Sequence, residues 1–202
     1  MTSHPSSASP PAWAEALLRL LLAPKDRDSV SGDLLEQYRD AIVPTRGATA
    51  DAWYLRQVAS FLWRRAWPWA LIFSGAFVMR NAYDWLVPTT DFHVRSQVTT
   101  YFAIGTLLLV GFGAAWRSGS ALAGIVVTVV ASQIAAVFSV VGSSVLLAIL
   151  KSPEIDRAIA GSGGIDEVYL LPFMMIVPAV ILGTVAGVAG KLGRRALSRG
   201  NS

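Results

Sequence analysis

The chain has 202 residues, of which 53% are hydrophobic and 15% are charged, and its formal net charge is +4. Soluble domains have about 25% charged residues, so this composition argues against an ordinary soluble protein and indicates that a lipid bilayer takes up the excess apolar surface. The chain has no cysteine, which excludes disulfides, thiolate catalysis and Cys-ligated metal, and its basic residues flank apolar runs, which argues against nucleic acid as a partner.

The N-terminal third of the chain has the charge density of a soluble segment. Residues 1–10 are rich in Ser and Pro, and we expect them to be disordered. Residues 11–65 are predicted to form a small cytoplasmic helical domain. Its first helix, at residues 12–23, is apolar but too short to cross a bilayer, and Pro24 ends it.

Two further helices are predicted in this domain. The second covers about residues 27–42 and is followed by a break at Pro44 and Gly47. The third begins near residues 49–51 and runs toward the first membrane span. The sequence leaves open whether this helix and the span form one continuous helix. Apolar residues recur every four positions along the second helix and predict one buried face: Val30, Leu34, Tyr38 and Ile42.

The same domain carries one family resemblance. Residues 24–39 have the sequence PKDRDSVSGDLLEQYR, with an apolar run before them at residues 17–22 and WYLRQV after them at residues 53–58. This pattern resembles the permease prefix domain, a short helical cytoplasmic module that precedes the first membrane span of MacB-like ABC transporter permeases. The resemblance covers about residues 12–65 and implies an association with a transporter. A permease of that class also needs a large periplasmic domain, whereas the longest outer loop here covers about residues 151–168.

Residues 66–191 are predicted to form a four-helix transmembrane domain, so the expected fold class is all-α. Four segments have the roughly 20 predominantly apolar residues that a span requires, and Trp and Tyr mark several of their ends. A basic tail follows at residues 192–202. The four predicted spans lie near residues 67–87, 98–116, 121–150 and 169–190.

The basic residues of the flanks predict the orientation of these spans. Cytoplasmic loops carry an excess of Lys and Arg, so the side with more of them is cytoplasmic. One side has Arg56, Arg64, Arg65, Arg117, Lys191, Arg194, Arg195 and Arg199, and the other has Arg95, Lys151 and Arg157. We therefore expect a multi-pass protein of the bacterial inner membrane with both termini in the cytoplasm.

Three polar residues within the spans are candidates for a functional site. Ionisable residues at membrane depth are costly, so Arg80 and Asp84 suggest a pathway or a recognition site. They also stand at positions i and i+4 of one helix and can form a structural pair. Gln133 lies in the middle of the third span, where an interhelical hydrogen bond is the more frequent role.

Small residues at intervals of four predict close helix packing. Two such sets are present, a stripe in the third span and a G-x-x-x-G motif in the fourth. Small residues let helices approach closely, either within one bundle or between two copies of the chain. The sets are Ala131, Ala135, Ser139 and Ser143, and Gly183 and Gly187.

No catalytic, metal-binding or cofactor-binding motif is recognisable, so the function expected from the sequence is non-enzymatic. The leading hypothesis is an accessory or regulatory partner of a membrane complex, plausibly a transporter. The alternative is a small oligomeric transporter or channel that uses Arg80, Asp84 and Gln133, and the weakest is a lipid-modifying membrane enzyme. The expected partners are the lipid bilayer and another membrane protein or a second copy of the chain.

Overall fold

The computed structural model describes residues 9–42, 47–87, 93–150, 152–161 and 164–200, and 94% of these residues are helical. The predicted all-α fold class is confirmed. Residues 1–8 of the predicted disordered start, Pro44 of the predicted break and residues 201–202 of the basic tail lie outside the described residues. The α-helices are α1 (Ala12–Leu21), α2 (Arg27–Ile42), α3 (Gly47–Leu86), α4 (His93–Ser118), α5 (Ala121–Ile149), α6 (Pro153–Gly161), α7 (Gly164–Met174) and α8 (Ile176–Gly200), and a short 3-10 helix covers Pro24–Asp26.

Among the described residues, three helical segments, not four, are long and apolar enough to cross a membrane. They are α4, α5 and the segment Gly164–Arg199, which contains α7 and α8. The stretch near residues 67–87, the first of the four predicted spans, is not among them. That stretch is helical, but Arg80, Asn81 and Asp84 and its tryptophans lower its hydropathy. Three apolar helices are consistent with a multi-pass membrane protein.

Helix α3 is a single helix of 40 residues, so the third predicted helix of the N-terminal segment is continuous with the stretch near residues 67–87. It contains Pro68, which has no backbone N–H to donate. At 1.5 Å per residue α3 is about 60 Å long, twice the thickness of a bilayer core of about 30 Å. Its second half lies beside α4 and α5.

Glycine residues set the close packing of α4, α5 and α8. A Cβ atom at Gly124 of α5 would lie 2.7 Å from the carbonyl oxygen of Gly111 in α4 and 2.9 Å from the Cα atom of Gly187 in α8. A Cβ atom at Gly190 would lie 2.6 Å from the carbonyl oxygen of Phe112. These contacts let the three helix backbones meet, as small residues do at helix interfaces in membranes.

Helices α1 and α2 pack on the first half of α3 around a small apolar cluster. Its buried members include Leu18, Leu34 and Tyr54. Tyr38 lies edge-on to the Tyr54 ring at 5.8 Å and donates a hydrogen bond of 2.6 Å to Asp51 Oδ1. Burial raises the pKa of Tyr38 to about 12, and the hydrogen bond and charge of Asp51 act in the same direction. The buried phenol thus fixes α2 on α3.

This N-terminal unit is joined to the bundle by packing and hydrogen bonds. Leu21 of α1 is buried with Ala66, Val127 and other residues of the bundle. Arg27 donates a hydrogen bond of 2.8 Å to the carbonyl oxygen of Ser118, at the end of α4. We call α1, α2 and the first half of α3 the head, this end of the bundle the head end, and the opposite end, where α6 lies, the distal end. The predicted domain boundary near residue 65 stays a prediction.

The glycine contacts predict that adding one methyl group destabilises the protein at some glycine positions and not at others. In Gly187→Ala the new Cβ meets the carbonyl oxygen of Ala121 at 2.6 Å, so α5 and α8 must move apart. We expect the free energy of unfolding to fall by about 1–3 kcal/mol, measured by circular dichroism during denaturation in detergent. Gly105→Ala is the matched control because its Cβ would meet nothing within 4 Å. Equal stability of the two variants would contradict the proposed role of Gly187.

Candidate functional site: a buried ion-pair cluster

Arg80 and Asp84 lie one helical turn apart near the distal end of α3. Their side chains are 15% and 5% exposed, and Arg80 Nε lies 3.4 Å from Asp84 Oδ2. Both face the interior of the bundle rather than its lipid-facing surface. The i,i+4 spacing brings the two side chains together on one face of the helix.

Two residues from other helices complete this arrangement. Arg95 of α4 places Nη1 3.0 Å from Asp84 Oδ1, and Glu167 of α7 places Oε1 3.0 Å from Arg80 Nη2. The four residues, which we call the ion-pair cluster, contain two guanidinium groups and two carboxylates. With all four charged, the cluster is electrically neutral, which lowers the cost of placing Arg80 and Asp84 inside an apolar bundle.

Arg95 is further held by the distal end of α3. Its Nη1 donates hydrogen bonds to the backbone carbonyl oxygens of Val87 at 2.8 Å and Tyr83 at 3.3 Å. Its guanidinium also lies 4.3 Å from the centroid of the Tyr83 ring, a cation–π distance. These carbonyl oxygens lie at the end of α3, where a helix has no partners for its last carbonyl groups. Arg95 therefore caps α3 as well as pairing with Asp84.

Asn81 connects the same turn of α3 to α5. Its Nδ2 donates a hydrogen bond of 2.9 Å to Ser143 Oγ. Together with the ion-pair cluster, this bond links α3 to α4, α5 and α7 at one level of the bundle. Polar links of this kind hold helices together where lipid offers no hydrogen-bond partners.

Gln133 does not belong to this site. It stands ten positions before Ser143 on α5, which is about 15 Å at 1.5 Å per residue. Its Nε2 lies 3.4 Å from the Oγ of the adjacent Ser132. The structure thus brings Arg80 and Asp84 together and leaves Gln133 at another depth.

The small residues predicted for packing lie inside the bundle. Ala131, Ala135, Ser139 and Ser143 are all buried on α5. Ala131 and Ala135 pack in clusters with α3 residues. Gly183 and Gly187 contact α5, where Cβ atoms would meet Thr128 and Ala121. Both sets therefore make contacts within one chain.

The described core between the ion-pair cluster and Gln133 is mostly apolar, although the side chains of Ser74 and Ser139 are also buried in this stretch of α3 and α5. It is formed by Phe73, Phe77, Leu107, Ala135 and Ala179, among others. The hydroxyl of Ser74 donates a hydrogen bond of 3.1 Å to the carbonyl oxygen of Leu71 in its own helix. The arrangement thus favours a structural role for the ion-pair cluster, namely to hold the distal ends of the helices together.

Sequence reasoning missed Arg95 and Glu167 as members of the site. They lie in α4 and α7, before the apolar part of each span, and the sequence places both in outer loops. One signal was available: each is a charged residue on the predicted outer side, the same side as Arg80 and Asp84. Which charges pair depends on how the helices pack, and no spacing within the sequence specifies it.

Among the described residues, no group of three or more His, Asp or Glu side chains is placed to hold a metal ion. No family model matches the chain, and the comparisons with curated proteins and with solved structures also give no match. The site is therefore argued from its geometry alone.

The ion-pair cluster predicts that removing Asp84 is costly. Asp84→Ala leaves two buried guanidinium groups with one carboxylate, Glu167, which pairs with Arg80, and takes away the carboxylate that Arg95 binds. We expect a loss of about 3–5 kcal/mol in the free energy of unfolding, because breaking a buried pair leaves an uncompensated charge. The measurement is denaturant unfolding of the full chain in detergent.

The control is Glu15→Ala, which removes an exposed ion pair of the same 3.0 Å length, between Arg19 and Glu15 of α1. Exposed pairs of this kind contribute at most about 1 kcal/mol. If Asp84→Ala cost no more than Glu15→Ala, the ion-pair cluster would not hold the distal end together.

Proposed function

We propose that the chain is a non-enzymatic, multi-pass membrane protein that acts as an accessory or regulatory subunit of a membrane complex. The observation that carries this proposal is the fixed junction between the head and the bundle. Leu21 packs into the bundle, and Arg27 binds the carbonyl oxygen of Ser118. A partner bound to the head would therefore act on the membrane helices directly. The resemblance of residues 12–65 to the permease prefix domain supports a transporter as that complex.

The docking surface we propose is the solvent-facing side of α2. The opposite side, with Leu34 and Tyr38, is buried against α3. The solvent-facing side is exposed and mostly acidic, with Arg39 as its one basic residue. Complementary charge favours a partner with a basic cytoplasmic segment. We call the exposed carboxylates Asp28, Asp33, Glu36 and Asp40 the acidic face.

The continuous helix α3 gives this docking a route to the far side of the membrane. One helix extends from Gly47 in the head to the ion-pair cluster. A shift of the head would tilt or move α3 and would strain the ion pairs that join α3 to α4 and α7. This coupling suits a regulatory subunit better than an inert anchor.

We further propose that α3 crosses the membrane, which gives four crossings. The membrane is then the bacterial inner membrane, and both termini lie in the cytoplasm. Three observations support α3 as a span. Its second half packs beside α4 and α5, its charged residues are paired inside the bundle, and apolar side chains such as Leu71, Ile72 and Met79 are exposed on its outer surface. If only the three segments with the hydropathy of a span crossed the membrane, the head and the C-terminal end of α8 would lie on opposite sides of it.

The transporter alternative has less support. Arg80 and Asp84 do face the interior, as that hypothesis requires. However, Arg95 and Glu167 neutralise them, and a mostly apolar core separates them from Gln133. We therefore favour the accessory role.

Charge reversal on the acidic face tests the docking. We expect Asp33→Lys with Glu36→Lys to lower the recovery of a co-purifying membrane partner, about tenfold for each 1.4 kcal/mol of binding lost. The measurement is affinity purification of the full chain from native membranes in mild detergent, with quantitative mass spectrometry. The matched control is Glu154→Lys with Asp156→Lys, which reverses two exposed charges of α6 at the distal end. Equal recovery of every protein by the two double variants would contradict the proposal.

Single cysteines test the four crossings, because the natural chain has none. Ser29→Cys in the head and Ser198→Cys in α8 are exposed positions, and Ala160→Cys marks α6. With a membrane-impermeant maleimide added to spheroplasts, we expect labelling of Ala160→Cys and protection of the other two. If α3 does not cross, the Ser29 and Ser198 positions must be labelled from opposite sides of the membrane.

A further inference from the structure

A crevice lies in the distal half of the bundle between α3, α4 and the α7–α8 segment. Its volume is about 540 Å³, within the range of roughly 300–1,000 Å³ that is typical of small-molecule sites. Phe77 of α3 forms part of its wall, and Leu107 of α4 and Leu182 of α8 line its deep end. Two members of the ion-pair cluster, Arg80 and Glu167, line its distal part.

The crevice follows from how α4 and α8 meet. Toward the head end they touch through glycines, and a Cβ atom at Gly111 would lie 3.2 Å from the Cα atom of Gly183. Toward the distal end the cavity separates them. The helical segment breaks at Met175, between Pro172 and Pro178, and both Met175 and Pro178 line the space. Close contact at one end and separation at the other give a wedge-shaped opening.

The opening faces the surface on which lipid would lie. Ile104 of α4 and Ile181 of α8 line the crevice from its two sides, and Ile181 is 57% exposed. Along α4 the lining runs from Ser96 to Leu107, which is about 16 Å at 1.5 Å per residue. A bilayer core is about 30 Å thick, so this length matches the depth of one leaflet.

The two ends of the crevice differ in polarity. The deep end is apolar, whereas Ser96, Thr100, Arg80 and Glu167 all line its distal part. The hydroxyl groups of Ser96 and Thr100 supply donors at this end, beside the Arg80–Glu167 ion pair. Phosphate and ester oxygens are acceptors for such donors. An apolar slot one leaflet deep, with donors at its outer end, matches the shape of a phospholipid.

We propose that this crevice binds one acyl chain of a phospholipid from the leaflet on the distal side. The chain lies between α4 and α8 with its end near Leu107, and the glycerol and ester oxygens lie near the hydroxyls of Ser96 and Thr100. The lipid fills the separation between the two helices that their glycine contacts leave open. This inference does not rest on the docking role of the acidic face, and it can fail or hold independently of that role.

The test uses the full chain in phosphatidylcholine vesicles that contain a phosphatidylcholine with a diazirine on one acyl chain. After photolysis, mass spectrometry measures the label on peptides that line the crevice and on the lipid-facing α5 surface around Val141, which is 56% exposed. We expect several-fold more label in the crevice, because a bound acyl chain keeps its diazirine next to the crevice residues for longer than a passing lipid does. Equal labelling of the two surfaces would overturn the proposal.

Variants that fill the crevice with a larger side chain provide a second test of the proposal. We expect Ile104→Trp to lower the crevice label about tenfold, which corresponds to about 1.4 kcal/mol of lost binding. Ile181→Trp, on the exposed opposite side, provides the same test if Ile104→Trp does not fold. Leu109→Trp is the control, since Leu109 is 60% exposed on α4 and does not line the crevice. Unchanged label in both filling variants, or cross-links to a second copy of the chain in place of lipid, would overturn the proposal.

Discussion

Charge neutralisation inside an apolar bundle is the constraint on which the rest of the structure depends. Helix α3 carries Arg80 and Asp84 where its neighbours bury them, and an isolated charge there would be strongly unfavourable. Arg95 and Glu167 bring the opposite charges from α4 and α7, so three elements must meet at one level. The hydrogen bond between Asn81 and Ser143 adds α5. The position of α3 in the bundle is thus fixed by electrostatics at its distal end.

Backbone contact fixes the other end of the bundle. At Gly111, Gly124, Gly187 and Gly190 the helices approach until no side chain fits between them. Dispersion forces between closely packed backbones are the main attraction available between apolar helices in lipid. Tight packing toward the head end and polar links at the distal end leave the space between α4 and α8 unfilled in the distal half. The crevice is a consequence of these two modes of packing, which is why we assign its filling to the surrounding lipid.

Helix α3 connects the head to the ion-pair cluster, since its first half belongs to the head and its distal end carries Arg80 and Asp84. Because α3 runs without interruption through Pro68, its half in the head is continuous with its half in the bundle, and Leu21 and Arg27 also bind the head to α5 and α4. A docking module on a flexible linker would recruit a partner without affecting the membrane helices. The rigid connection is what makes a regulatory role physically reasonable for this chain.

The sequence by itself determined the fold class, the bounds of α2 and the membrane character of α4, α5 and the α7–α8 segment, because these follow from local composition and periodicity. It also placed Arg80 and Asp84 on one face of a helix, since the i,i+4 spacing is a local property. It could not determine that α3 is one helix from head to distal end. Only the tertiary structure decided that Arg95 and Glu167 complete the ion-pair cluster, that Gln133 lies elsewhere, and that a crevice opens between α4 and α8. These features depend on the distances between helices remote in sequence, which are set by packing and by pairing of charges rather than by any local pattern.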